Sequence, residues 1–151
     1  SAEWIDIWFQ DECDQAMLQS RLPGVIPPGL ELLEIAEIPL SAPTMQSKIV
    51  SASYQVLLLD PYETADLQAR IDRVLATLTL LRVRREKEYD LRPLIENLEL
   101  AHRSDGAPAI NMTLAARPGA TGRPEEVLLV MDIDPMAVRI EKTDMVFDFG
   151  A

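Results

Sequence analysis

The sequence predicts an α+β fold: a ferredoxin-like βαββαβ sandwich, an antiparallel sheet with two helices, preceded by an incomplete second α/β unit. Three observations carry this reading. From Lys48 onward the elements run strand, helix, strand, hairpin turn, strand, helix, strand. The helix over about Tyr62 to Leu78 carries the stripe Leu67, Ile71, Val74, Leu75 and Leu78, a spacing that packs on a sheet. Residues 3–38 read as strand, helix, strand, which is the second half of the same pattern. The expected division is therefore a truncated half-unit over 1–45 and a ferredoxin-like domain over 46–151.

Trp4-Ile-Asp-Ile-Trp-Phe9 alternates and is rich in β-formers, so a strand is expected, with Ile5, Ile7 and Phe9 facing the core. Asp11 is placed to cap a helix from Glu12 whose buried side holds Cys13, Ala16, Met17 and Leu22. Pro23-Gly24 stops it, and Leu30 to Ile38 reads as a second strand, bulged or buried on both faces at Leu32-Leu33. Pro39 to Met45 is a connector. Lys48 to Leu59 reads as a strand with Tyr54, Val56 and Leu58 on one face. Arg82 to Tyr89 carries charge on both sides of its alternation and suits one exposed edge strand. Pro93 must break, bulge or re-partner that strand, which resumes over Leu94 to Leu100. Ser104-Asp-Gly106 signals a hairpin returning as Ala109 to Ala115. Pro124, with Glu125 and Glu126 behind it, opens a second helix, and Ala137 to Phe147 is the last strand.

A chain of 151 residues buries roughly two-thirds of its unfolded surface, and at 48% hydrophobic residues it needs no disulfide to hold a core. Only 5% of residues are aromatic, so that core is aliphatic. The net charge of −11 repels nucleic acid and anionic membranes at long range. It is unevenly spread: −8 over residues 1–81, +2 over 82–92 and −5 over 93–151. The single Cys13 excludes an intramolecular disulfide and a cysteine-held metal or iron–sulfur centre. It fits a reducing compartment, and the expected location is cytoplasmic. No apolar run reaches the ~18 residues of a membrane span, and no signal peptide is visible. Ser1-Ala2 has the look of a tag remnant.

Several strings resemble a family of unknown function, DUF2344, the radical SAM-linked proteins found beside or fused to radical SAM enzymes. They are Glu3-Trp-Ile-Asp-Ile7, Leu22-Pro-Gly24, Pro28-Gly-Leu-Glu-Leu-Leu-Glu34, Glu37-Ile-Pro-Leu-Ser-Ala-Pro43, Ala52-Ser-Tyr-Gln-Val56, Asp90-Leu-Arg-Pro-Leu-Ile95 with Leu98-Glu-Leu100, Arg123-Pro-Glu-Glu-Val-Leu128 and Val138-Arg-Ile-Glu-Lys-Thr143. They cover nearly the whole chain, in the family's order. The resemblance implies a further segment ahead of Glu3, so a fragment lacking its first half-unit is expected. It implies a radical SAM partner that would itself carry the iron–sulfur cluster and S-adenosylmethionine, with no cofactor in this chain. It supplies no catalytic residues to carry over.

The candidate binding residues are Arg82, Arg84, Arg85, Lys87 and Arg92. Presented along one strand, they form a ridge able to meet phosphate. The competing reading is a solvated edge paired with Glu86, Glu88 and Asp90. Arg92 is suited either to holding a carboxylate or phosphate bidentately or to an internal ion pair with Asp90 or a nearby Glu. His102 reads as a surface residue and Cys13 as a small buried apolar group. Glu125, Glu126, Asp132 and Asp134 match no calcium loop and read as solvated charges. Gly119 to Gly122 lacks the ending of a phosphate loop and reads as an ordinary loop. No metal site is expected.

Two functions follow. The first is a non-catalytic accessory or binding domain of a radical SAM enzyme, contacting a protein partner or an RNA substrate, with the acidic charge favouring the protein. The alternative is an RNA-processing or RNA-modifying enzyme whose catalytic residues lie mainly ahead of this chain, with Arg92 and His102 assisting.

Overall fold

The structure, a computed structural model, describes residues 3–149. It divides into two units: Ile5–Thr44, and a larger one comprising residues 3–4 together with the chain from Met45 onward.

The smaller unit contains helix α1 (Gln15–Arg21) and a 3₁₀ turn over Leu22–Gly24. The cap is Asp14 rather than Asp11: its Oδ1 accepts from Ala16 N at 2.9 Å. Leu18, Leu22 and Ile26 are half-buried, one stripe at four-residue spacing, whereas Cys13, Ala16 and Met17 are exposed. Gln15 Nε2 donates to Ile35 O at 2.8 Å. Neither Trp4–Phe9 nor Leu30–Ile38 forms a strand. Both have strand composition, but neither finds a ladder partner, and unpaired backbone in water gains nothing from the extended form. The expected strand-helix-strand half-unit is thus corrected to a helix with irregular flanks.

The larger unit contains a short helix α2 (Met45–Lys48), strand β1 (Ile49–Leu58) and helix α3 (Thr64–Ala76). A hairpin of β2 (Leu81–Arg84) and β3 (Lys87–Asp90) follows, then β4 (Ile95–His102), β5 (Pro108–Arg117), β6 (Ala120–Thr121), α4 (Pro124–Val130) and β7 (Val138–Phe147). The main sheet has the order β4-β5-β1-β7, antiparallel throughout, with β6 paired to β5. Counting β1, β4, β5 and β7 as its four strands and α3 and α4 as its helices, this is the ferredoxin-like arrangement. The β2–β3 hairpin is an insertion between the first helix and second strand of that plan.

The core is aliphatic. Val56, Ile95, Leu98, Ile110, Met112 and Leu114 of the sheet meet Leu67, Ile71 and Val74 of α3 and Val127, Leu128, Met131 and Ile133 around α4. Burying each such side chain is worth about 1.5–3 kcal/mol. The opposite sheet face is polar: Ser53 Oγ and Thr113 Oγ1 lie 3.0 Å apart and Gln55 Nε2 donates to Asn111 Oδ1 at 3.3 Å. Two glycines have definite duties. Gly119, at φ 76°, follows Pro118 in the tight turn joining β5 to β6. A Cβ on Gly122 would lie 3.2 Å from Leu114 Cβ and 3.3 Å from Leu94 O, so a side chain there requires its neighbours to give by a few tenths of an ångström.

The α4 C-terminus shows how charge completes the packing. Ile133 N donates to Leu128 O at 2.9 Å and Asp132 N to Leu129 O at 3.2 Å, a Schellman closure with Asp132 at φ 57° where glycine is usual. Arg70 Nη1 donates to the carbonyls of Met131 and Asp132, at 2.8 and 2.9 Å. Arg73 Nη2 bridges to Asp132 Oδ2 at 2.7 Å. Two cations from α3 therefore sit on the negative end of α4.

Candidate functional site

The basic island is the β2–β3 hairpin, not one edge strand. Its register is Leu81↔Asp90, Arg82↔Tyr89, Val83↔Glu88 and Arg84↔Lys87. Arg85 and Glu86 form the two-residue turn, both left-handed at φ 50° and 65°. Such a turn normally uses Asn-Gly or Asp-Gly, because a side chain costs roughly 1 kcal/mol or more in this region. That is why no turn signal stands in the sequence.

Cross-strand partners share a face. One face therefore carries Arg82, Arg84, Lys87 and Tyr89, the other Leu81, Val83, Glu88 and Asp90. Leu81 and Val83 are 60% and 70% exposed. Among the described residues the two strands pair only with each other. A lone two-stranded ribbon is marginal in water, so its order depends on what ties it down.

The tie is Glu126, in the first turn of α4. Its carboxylate accepts from Arg84 Nη2 and from the Tyr89 hydroxyl, and Arg84 Nε reaches its other oxygen at 3.2 Å. Arg84 Nη2 also donates to Tyr89 Oη at 3.1 Å, and Nη1 donates to Thr121 O at 3.0 Å. The Arg84 guanidinium lies 4.8 Å from the Tyr89 ring centroid. Burial alone would favour the neutral acid at Glu126, but the Arg84 and Tyr89 hydrogen bonds and the nearby positive charges outweigh it and hold its pKa below the usual range. Burial, then donation to this carboxylate, pushes the Tyr89 hydroxyl up. The Glu126 hydrogen bond raises Arg84.

The base of the hairpin is fixed separately. Asp90 Oδ1 accepts from Leu80 N at 2.8 Å and Arg92 N at 3.0 Å, and Leu91 N donates to Leu80 O at 2.9 Å. Leu91 is fully buried. The Arg92 guanidinium donates to Ile95 O at 3.3 Å and to Leu75 O, near the α3 C-terminus, at 3.2 Å. Arg92 is thus committed to backbone carbonyls instead of a carboxylate, and Pro93 sits in a 3₁₀ turn between β3 and β4.

The structure therefore divides the five predicted residues. Arg84 and Arg92 are structural clasps. Arg82, Arg85 and Lys87 stay on the hairpin, with no contact ion pair to Glu86 or Glu88 among the described residues. Glu126, read from the sequence as a solvated charge, is instead the acceptor that holds the island through Arg84 and Tyr89. Leu81 and Val83 could have been singled out, because Leu81-Arg-Val-Arg84 alternates apolar and basic.

The other candidates do not assemble into a site. His102 is exposed at the end of β4, and Asp105 is occupied by Arg103 at 2.9 Å and by the Ala107 amide. Asp134 caps a 3₁₀ turn through Met136 N at 2.9 Å. Among the described residues no three His, Cys, Asp or Glu side chains gather with metal-binding geometry. No described helix is long and apolar enough to cross a membrane.

Fold and site together define a ferredoxin-like α+β domain with a two-stranded hairpin latched to α4. The chain belongs to the family described as an uncharacterized protein conserved in bacteria (DUF2344), which matches residues 1–124. Comparison with curated proteins and with solved structures gave no match.

Proposed function

We propose that this chain is a non-catalytic binding domain that docks a protein partner through the β2–β3 hairpin, the partner being a radical SAM enzyme. The single observation that carries this is the hairpin's apolar face: Leu81 and Val83 stay largely exposed on a ribbon that Glu126 and Asp90 hold in place. Exposed aliphatic side chains on an anchored element suit a protein interface. The acidic net charge and the engagement of Tyr89, the hairpin's one aromatic residue, by Glu126 argue for protein over RNA. The radical SAM assignment rests on the sequence resemblance, and in it the partner supplies the cluster and S-adenosylmethionine. The test is calorimetric titration of the neighbouring radical SAM protein with the wild-type chain and with Leu81→Ser/Val83→Ser. Binding by the wild type that the double variant weakens about tenfold or more supports the reading. No binding by the wild type, or equal binding by both, refutes it.

A further inference from the structure

We infer that the outer edge of β2 is a strand-addition site for an extended partner segment that alternates apolar and acidic residues. The inference rests on the protein-docking reading and names its mode. In a two-residue hairpin the residues flanking the turn exchange the first pair of backbone bonds, and bonded and non-bonded pairs then alternate. Arg84↔Lys87 and Arg82↔Tyr89 are thus bonded pairs, so the N–H and C=O of Val83 and Leu81 point away from β3. Among the described residues nothing takes them.

The same two residues carry the exposed apolar side chains. One edge therefore offers both halves of strand recognition: a backbone ladder for affinity and side chains for specificity. The main sheet's edges are less inviting. β4 has a register shift at Glu96, and β7 has one at Thr143 together with Arg139, Glu141, Lys142 and Asp144. Bulges and charge are features that discourage edge pairing.

The cations set the segment's chemistry. A strand beside β2 places apolar residues next to Leu81 and Val83 on one face and faces Arg82 on the other, with Arg85 at the turn. Carboxylates at alternate positions answer those cations. A second copy of this chain fits poorly, because two-fold pairing of β2 edges brings the arginines of both copies together. RNA fits poorly because the Tyr89 hydroxyl is held by Glu126 and the Arg84 guanidinium already lies over its ring.

The experiment is amide hydrogen exchange by NMR on the chain alone and with a blocked hexapeptide, Glu-Val-Glu-Val-Glu-Val, with its Lys-Val counterpart and oligouridine as comparisons. Slowing by about tenfold or more at the Leu81 and Val83 amides, with the Arg82 and Lys87 amides changed little, is expected with the acidic peptide only. Val83→Pro removes one outward donor and should abolish that protection. If Val83→Pro disorders the hairpin, seen as fast exchange at Lys87, Arg82→Glu is the second variant and should reverse the preference toward the Lys-Val peptide. Protection at β4 or β7 instead, no protection, or stronger protection by oligouridine overturns the inference. Enzyme binding without protection at Leu81 and Val83 would leave the docking reading standing and remove strand addition alone.

Discussion

Arg84 and Glu126 lie 42 residues apart in sequence yet form, among the described residues, the one ion pair joining the β2–β3 hairpin to α4. Their side chains are only 25% and 16% exposed, so the pair is shielded more than the surface pairs elsewhere on the domain. Hydrogen bonds to charged groups contribute about 1.5–3 kcal/mol each. A double-mutant cycle over Arg84→Ala and Glu126→Ala should give a favourable coupling of about 1–2 kcal/mol by denaturant unfolding. A coupling near zero would mean the hairpin is not latched through this pair.

The latch carries a pH signature. Glu126 has its folded pKa below the unfolded value, so its stabilisation is complete above roughly pH 4.3 and is lost as pH falls through the folded pKa. Tyr89 is shifted the other way, so its contribution is complete below about pH 10 and is lost as pH rises through the folded pKa. Wild type minus Glu126→Gln, followed by thermal unfolding across the acid range, should show a difference that shrinks toward low pH. A constant difference would contradict the assignment.

The turn at Arg85-Glu86 holds two side chains in left-handed backbone. Replacing them together, Arg85→Asn/Glu86→Gly, should stabilise the hairpin by about 1–2 kcal/mol through relief of that strain. Amide exchange along β2 and β3 should slow accordingly. An unchanged or faster rate would show that the native tip is already relaxed.

Asp132 is a third non-glycine residue in left-handed backbone, and its charge is used by Arg73. Asp132→Ala loses the ion pair and keeps the strain, and should cost about 1 kcal/mol or more. Asp132→Gly loses the same ion pair but relieves the strain, so its stability should stay within about half a kcal/mol of wild type. Equal losses for both variants would mean backbone conformation is not what sets the cost.

Ile71 and Val74 are nearly inaccessible between α3 and the sheet. Ile71→Ala should cost about 2–5 kcal/mol, and Ile71→Asp should leave no cooperative thermal transition. Retention of the wild-type transition by Ile71→Asp would displace α3 from the core.

Legibility in the sequence followed the type of signal. β1, α3, the Ser104-Asp-Gly106 turn, Pro124 at the start of α4 and the final strand all announce themselves through periodicity or capping chemistry, and they form close to where expected. The ferredoxin-like order follows from them. The Trp4–Phe9 and Leu30–Ile38 stretches have strand composition, but a strand is a property of two segments, and composition does not name the partner. The hairpin is not legible, because Arg85-Glu86 carries no turn vocabulary. At the site, five cations were visible as charge, but which of them were already spent depended on tertiary acceptors: Glu126 for Arg84, and the Leu75 and Ile95 carbonyls for Arg92.

The double fixing of the hairpin, by Asp90 at its base and Glu126 along its face, has a thermodynamic corollary for recognition. An encounter with such a ribbon freezes few rotors, because the backbone and two of the larger side chains were immobilised during folding. The ordering penalty of about 0.5–1.5 kcal/mol for each mobile side chain falls mainly on the visitor. Residence time at β2 should therefore be governed by how stiff the incoming segment is, and a visitor already locked in extended form should linger far longer than a floppy one of the same composition.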